Sequence, residues 1–402
     1  MRGPIICAGL LGVLHTGCAS PGRWRPVRSG SDVERAAGPA ARAPGAVVAT
    51  VGGVGTGPVE AWLRVDSLRR EVVLEAGPFV LPVESGNGAP AGGSEGMSPA
   101  AAHHAHHHVE DAANRPKLVR FDWPVDGYLR GCRVELVDAR GNSLPRHLLH
   151  HVIGLDLARR ELLYHAVQRL FGAGSETGDV LLPRVVGVPV APGDPLGIYV
   201  VWHNDTGHEV TGVMPRLTIV WTPRSPGRRM LVVLPMWMDT NNRVAGDNTF
   251  DIPPGRSTKV FEFTSPVDGR LIALGGHLHD YGTEVRLEDA ETGRVITRLA
   301  SEHDAAGHVT GMERRIFWLF PKRLRRGHRY RVLGVYRNPT HDSLPGAAMA
   351  HLAGLLLPDH LSQWPAIDPT HPDYREDIRT LPMLATAQLV GAPSSRSADH
   401  PN

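Results

Sequence analysis

Two histidines, His277 and His279, stand one residue apart in the run LIALGGHLHDYGTEVRLED. Successive side chains of a β-strand point to opposite faces, so positions 277 and 279 project from one face with their imidazoles side by side. Such a pair is a two-ligand clamp suited to copper, zinc or iron. A solvent-facing pair of surface histidines has the same pattern, so further donors must come from elsewhere in the chain.

Several other stretches offer them. His150 and His151 are adjacent in RHLLHHVIGLD, and adjacent residues of a regular strand face opposite ways. Both reach one ion only where a bulge or a strand end lies. His203 closes the apolar run of YVVWHNDTG ahead of a turn-like Asn-Asp-Thr-Gly, and Met349 precedes another apolar run in AAMAHLAGLLLP. The thioether of Met349 is either a soft donor or plain core. Met236 and Met238 alternate in LPMWMDT and are expected to pack in a core.

Around the His-x-His, the glycines Gly275 and Gly276 let the backbone approach a metal or a neighbouring strand closely. Asp280 and Tyr281 follow it, and either they orient an imidazole or Asp280 begins a turn. His147, His165, His208, His303, His308, His341, His351 and His360 have no spacing partner and read as surface or satisfied histidines, with His341 and His351 closest to Met349.

The elements that must carry these residues read as strands. After Asn114 short apolar runs are broken by Gly, Pro, Asp and Asn, as in LVRFDWPVDGYL, PLGIYVVWHNDTG, PRLTIVWTP, RMLVVLPMWM and IFWLFP. Runs of this length and spacing predict an all-β chain of two tandem β-sandwich, jelly-roll-like domains, about 66–223 and 228–390, joined near TPRSPGRR. One short helix is expected over Leu157–Phe171, LARRELLYHAVQRLF, where the apolar spacing is helical. Residues 391–402 read as a disordered tail.

Composition bounds what such domains do. With 402 residues, 42% of them apolar, the chain can bury a large core. Its 43 basic and 41 acidic residues give a net charge of +2, and no basic block is interleaved with aromatics, which leaves no electrostatic reason to expect nucleic acid. The outlier is histidine, with 22 copies mostly uncharged at neutral pH and free to ligate metal. Five of them, His103, His104, His106, His107 and His108, lie in a low-complexity loop at about 86–114, which either gathers metal loosely or is a solvated loop of biased composition.

The N-terminus, MRGPIICAGLLGVLHTGCAS, has one positive charge and an apolar stretch too short to span a bilayer permanently, and it reads as an export signal over 1–18. Cys18 after a small residue resembles a lipoprotein cleavage site. The expected location is periplasmic or cell-envelope, with membrane attachment through a lipidated Cys18 as one form of it. Residues 19–65, rich in Arg, Gly, Pro, Ser and Ala at the start, read as a flexible tether, although EAWLRVDSLRREVVLEAGPFVLPVE from Glu60 has the alternation of one or two strands. Once the signal is removed only Cys132 remains beyond Cys18, so the folded part holds no internal disulfide.

In order along the chain come HH, H, Ile-Pro-Pro-Gly, HxH and M, over two β-rich blocks. This order resembles the copper type II, ascorbate-dependent monooxygenases, the family of peptidylglycine α-hydroxylating monooxygenase and dopamine β-monooxygenase. The similarity runs over about 115–360 and is densest from RLTIVWTP through LVVLPMWMDT and FDIPPGRSTKVFEF to GGHLHDYGTEVRL. The resemblance implies two coppers per chain, one on His150, His151 and His203 and one on His277, His279 and Met349. It further implies an ascorbate-like reductant, O2 at the site of Met349, and hydroxylation of a C–H bond of a small substrate, with His277, His279 and Met349 as the catalytic set. The family's disulfide cysteines are missing here, and its peptide-binding residues have no counterpart that can be placed, which argues against peptide amidation. Two other functions suit the same residues: an extracytoplasmic copper-binding protein without turnover, and a β-sandwich interaction module without metal.

Overall fold

Alternating apolar positions set the strands. In AHLAGLLLP, residues 350, 352, 354 and 356 are buried while the odd-numbered residues between them are partly exposed, and this period of two recurs along the chain. The computed structural model describes residues 59–83, 117–174, 179–204, 206–227, 229–242, 249–304, 308–317 and 319–390. The expected loop around His103–His108, the expected export signal with Cys18 and the expected 391–402 tail lie outside them.

The first block contains β1 (Glu60–Asp66), β2 (Glu71–Gly77), β3 (Phe79–Leu81), β4 (Leu118–Asp122), β5 (Gly127–Val137) and β6 (Leu149–Arg160). It continues with β7 (Val167–Gly174), β8 (Val180–Leu181), β9 (Val186–Val190), β10 (Pro195–Trp202) and β11 (Val210–Pro223). The second block holds β12 (Leu231–Val232), β13 (Leu234–Asp239), β14 (Phe250–Ile252), β15 (Gly255–Thr264), β16 (Gly269–Leu278) and β17 (Gly282–Asp289). There follow β18 (Val295–His303), β19 (Val309–Met312), β20 (Arg314–Ile316), β21 (Lys322–Leu324), β22 (Arg329–Asn338), β23 (Leu344–Ala348) and β24 (Ala350–Pro358). A single α-helix among the described residues, α1 (Pro372–Arg379), leads to β25 (Met383–Thr386) and β26 (Gln388–Leu389).

These strands make an all-β, jelly-roll-like architecture of two sandwiches. One sandwich faces the sheet β12-β9-β5-β11-β2-β1-β26 against β25-β4-β10-β6-β7, around Leu74, Phe121, Trp123, Leu149, Val152, Ile198 and Leu217. The other faces β13-β24-β16-β20 against β15-β22-β17-β18-β19, around Met238, Leu274, Leu278, Val285, Tyr336, Leu352 and Leu356. Met236 and Met238 lie in this second core, as their alternation led us to expect, at 1% and 0% exposure.

Three sequence expectations are corrected. The tether was drawn to residue 65, yet Glu60–Asp66 is β1, paired along its whole length with β2. The last strands, β25 and β26, leave the second block and pair in parallel with β4 and β1 of the first. The helix expected over Leu157–Phe171 is instead the end of β6, a bend and the start of β7. The helical spacing arose because polar residues there are buried: Glu161, Gln168 and Arg169 all point inward, which breaks the alternation a strand would show.

Those buried polar groups weld α1 to the β6–β7 bend. Asp377 accepts hydrogen bonds from the Arg169 guanidinium at 2.6 and 2.9 Å and from the Val167 N–H at 2.8 Å, all out of water. Glu161 accepts the Arg169 N–H at 2.6 Å through Oε1, while its buried Oε2 has no partner. Burial pushes the Glu161 carboxyl up to about 7, against the pull of the Arg169 N–H and charge.

A carboxyl whose folded value lies above its unfolded one stabilises the fold at low pH, and that contribution is lost as pH rises through the folded value. We expect Glu161→Gln to be more stable than the native chain at pH 8 by up to about 3 kcal/mol, with the gap closing towards pH 4.5, the carboxyl's ordinary value. Denaturant titrations of both chains across that range measure the difference, and a gap independent of pH would refute it.

Candidate metal centre

The ladder between β16 and β24 places the His-x-His. His277 is directly opposite His351 and Leu278 opposite Ala350, and the ladder continues through a His279 N–H to Met349 carbonyl bond of 3.1 Å. Residues opposite one another in an antiparallel pair share a face, as do residues two apart on one strand. Register therefore gathers His277, His279, Met349 and His351 on one face. The rings of His277 and His279 have centroids 5.2 Å apart, and those of His277 and His351 lie 5.0 Å apart, nearly parallel.

The turn beyond this pair keeps it in place. The Gly282 N–H returns to the His279 carbonyl at 3.0 Å and Tyr281 takes a left-handed φ of 64°, so Asp280 opens the turn. Its carboxylate accepts from the Val309 N–H at 2.8 Å and meets His308 Nδ1 at 2.7 Å, which holds the His308 imidazole above its ordinary value. The Tyr336 hydroxyl donates to the Met349 carbonyl, and His279 Nδ1 lies 3.3 Å from the Ala347 carbonyl. Donation from Nδ1 to that carbonyl leaves Nε2 of His279 as the lone-pair donor.

The first block presents the other histidines through a bulge. Val201 of β10 pairs with His151 of β6 but Trp202 pairs with Leu149, so His150 is an extra residue on its strand. This is the bulge that the adjacent pair required, and it brings the rings of His150 and His151 to a centroid distance of 4.5 Å. The His203 N–H extends the ladder to the Leu148 carbonyl at 3.0 Å, which sets His203 two residues from Val201 on the face of His151.

The two sets face each other. The ring of Trp237 of β13 lies tilted against His351, centroids 4.3 Å apart, and reaches Gly172 of β7, which is paired with Ile153 two residues along from His151. Burial, then repulsion from His150, His277 and His351, holds His151 well below the ordinary imidazole range. Burial, then His277, does the same to His351. Both rings are neutral at pH 7, with lone pairs available to a metal.

Sequence reasoning read His351 as a surface or satisfied histidine, though one of the two closest to Met349, and did not single out Trp237. The signal was present, because His351 follows Met349 by two residues and the alternation applied to His277 and His279 puts it on the same face. His351 Nδ1 is buried without a hydrogen-bond partner, a position that an ion or a water would satisfy. The remaining residues without a spacing partner include His165, whose ring stacks on His371 at 3.5 Å, away from either set in sequence.

Imidazole and thioether are donor types that copper accepts. Two imidazoles on one ion, each bound at about 2.0 Å and at right to tetrahedral angles, have ring centroids about 4.5–5.2 Å apart. The ring separations of 4.5, 5.2 and 5.0 Å lie within that span. Among the described residues no three His, Cys, Asp or Glu side chains are gathered tightly enough to close on an ion as they stand. A set of two histidines and a methionine is a different donor set, whereas His150, His151 and His203 fall within that statement and are not gathered about one point.

No family model matches the chain, and no curated protein matches it. Among solved structures, the STIV MCP is 11% identical at a TM-score of 0.35, covering 61% of this chain and 94% of that one. The major capsid protein P2 from bacteriophage PM2 is 11% identical at a TM-score of 0.28, covering 61% and 93%. PNGF-II is 12% identical at 0.29, covering 61% and 60%.

The glycines before His277 have separable roles. A Cβ at Gly276 would come within 2.8 Å of Val285 Cγ1 and 2.9 Å of Met312 Cε, whereas one at Gly275 meets nothing within 4 Å. We expect Gly276→Ala to cost about 1–3 kcal/mol in denaturant unfolding and Gly275→Ala to cost well under 1. Equal costs would show that the close approach of β16 to β17 and β19 does not hold His277 in place.

Proposed function

We propose that this chain is a copper-dependent monooxygenase acting on a C–H bond of a small substrate with O2 and an ascorbate-like reductant. One copper would sit on His150, His151 and His203 and the other on His277, His279 and Met349. What carries the reading is the cross-strand register that sets His277 against His351 and His279 against Met349, facing the bulged pair His150-His151.

Copper on these ligands would supply the one-electron and dioxygen chemistry, with the soft thioether of Met349 favouring the reduced ion. The chain's own groups do the rest. His279 Nδ1 lies against the Ala347 carbonyl, and the Met349 backbone is fixed by Tyr336 and by the His279 N–H. Trp237 lies with its ring against His351 on one side of the set. Neutral His151 would take a cation without first releasing a proton.

A second reading keeps the ligands without turnover. It is favoured by the nearness of His151 to His277 and His351, close enough for their charges to repel, which sets nitrogen donors of both sets near one another as a sequestering site would.

Reconstituted protein is expected to retain copper and to consume O2 when given ascorbate. Met349→Ala should cut that consumption by at least about tenfold, a loss of some 1.4 kcal/mol of transition-state stabilisation, with thermal unfolding unchanged. X-ray absorption of the reduced protein should show a Cu–S contact that Met349→Ala removes. Copper uptake without oxygen consumption would select the sequestering reading, and no retained copper would overturn both.

A further inference from the structure

The β13-β24-β16 sheet ends in a split edge strand. Both β20 and β21 pair with β16, with Ile316 opposite Ala273 and Lys322 opposite Leu271, so only Ile272 lies between those pairs. The chain leaves the ladder after Ile316 and rejoins it at Lys322, which extrudes a loop from the edge. Phe317 holds its base: its N–H donates to the Ile272 carbonyl at 2.8 Å, its ring packs against the second core, and Lys322 Nζ lies 5.3 Å from the ring centroid.

Beyond that base the described side chains point into water. Ile316, Leu319 and Phe320 are 76%, 81% and 79% exposed, within five consecutive positions. Scattered exposed apolar residues are ordinary, but a cluster projecting from an edge strand marks a contact surface.

The charges around the tip say what it contacts. From 313 to 326 the chain carries Arg314, Arg315, Lys322, Arg323, Arg325 and Arg326 against one acid, Glu313. Glu313 accepts from Arg315 at 3.0 Å, and Asp268 and Asp359 engage Arg323 and Arg270, so three carboxylates meet seven cations along this edge. An apolar tip inside a cationic rim matches a bilayer, whose acyl boundary takes the apolar side chains while anionic headgroups take the arginines. A symmetric contact with a second copy would set the same cations against each other.

We propose that Ile316, Leu319 and Phe320, with the basic residues flanking them, form an interfacial anchor for membranes bearing anionic lipid. The anchor lies at the edge of the sheet that carries His277, with Arg314 opposite Gly275, and so would hold the histidine face close to the bilayer. It is independent of whether the histidines bind copper and of whether Cys18 is lipidated.

Hydrogen–deuterium exchange of the full chain tests it, with phosphatidylcholine vesicles alone and with vesicles that also contain phosphatidylserine. Amides of peptides spanning 313–326 should slow on the anionic vesicles and much less on the neutral ones. L319S/F320S should weaken that protection by roughly tenfold or more, without changing the thermal midpoint, because both side chains are exposed in the fold. Attachment through the N-terminal segment alone would leave these amides as fast as in water. The proposal is overturned by equal exchange with and without anionic vesicles, by protection that survives L319S/F320S, or by protection without vesicles that rises with protein concentration, which would mark a second copy as the occupant.

Discussion

Everything at the candidate centre depends on the antiparallel register between β16 and β24. Because side chains alternate, a slip of one residue would send His277 and His279 into the core and bring Gly276 and Leu278 to the open face. The slip is forbidden by the opposite face, where Leu274, Leu278, Leu352 and Leu356 pack among residues with almost no exposure. The hydrophobic pattern of the strands thus fixes where the imidazoles point, with no contribution from the imidazoles themselves. The Tyr336 hydroxyl and the tight turn at Asp280-Tyr281 then pin the end of the ladder, where a strand would otherwise fray.

The first block solves a harder problem, since two adjacent residues of a flat strand cannot share a face. One extra residue in β6 opposite the Val201–Trp202 step rotates His150 round beside His151. The local cost is a broken ladder step at the edge of a well-packed core, where Leu149 and Val152 on either side remain fully buried. Bulges of this kind re-aim side chains next to functional sites, and here the re-aimed face is the one that meets the second sandwich.

The two sandwiches meet over a surface that changes character along its length. Leu355 and Leu357 of β24 pack against the first core, and Trp237 bridges from β13 to Gly172 of β7. Farther along the same face the apolar residues give way to His351, His277, His279 and Met349. The apolar part supplies the burial that holds the halves together, while the imidazole part remains polar and partly solvated. Keeping His151 and His351 neutral is a consequence of that position: partial burial and mutual repulsion both disfavour the imidazolium.

The sequence alone determined the all-β architecture, because runs of period two broken by turn residues admit few other folds, and it determined that His277 and His279 share a face, because alternation is a local property. It also carried the signals for His351 and for the core placement of Met236 and Met238. Only the tertiary structure decided that His150 and His151 sit side by side, since no local pattern announces a bulge whose cause is the register of β10. It alone turned Leu157–Phe171 from an apparent helix into two strands, since the pull of Asp377 on Arg169 comes from more than two hundred residues away. The pairing of His279 with Met349 was likewise invisible from either strand, because register between strands distant in sequence is set by the core they jointly bury.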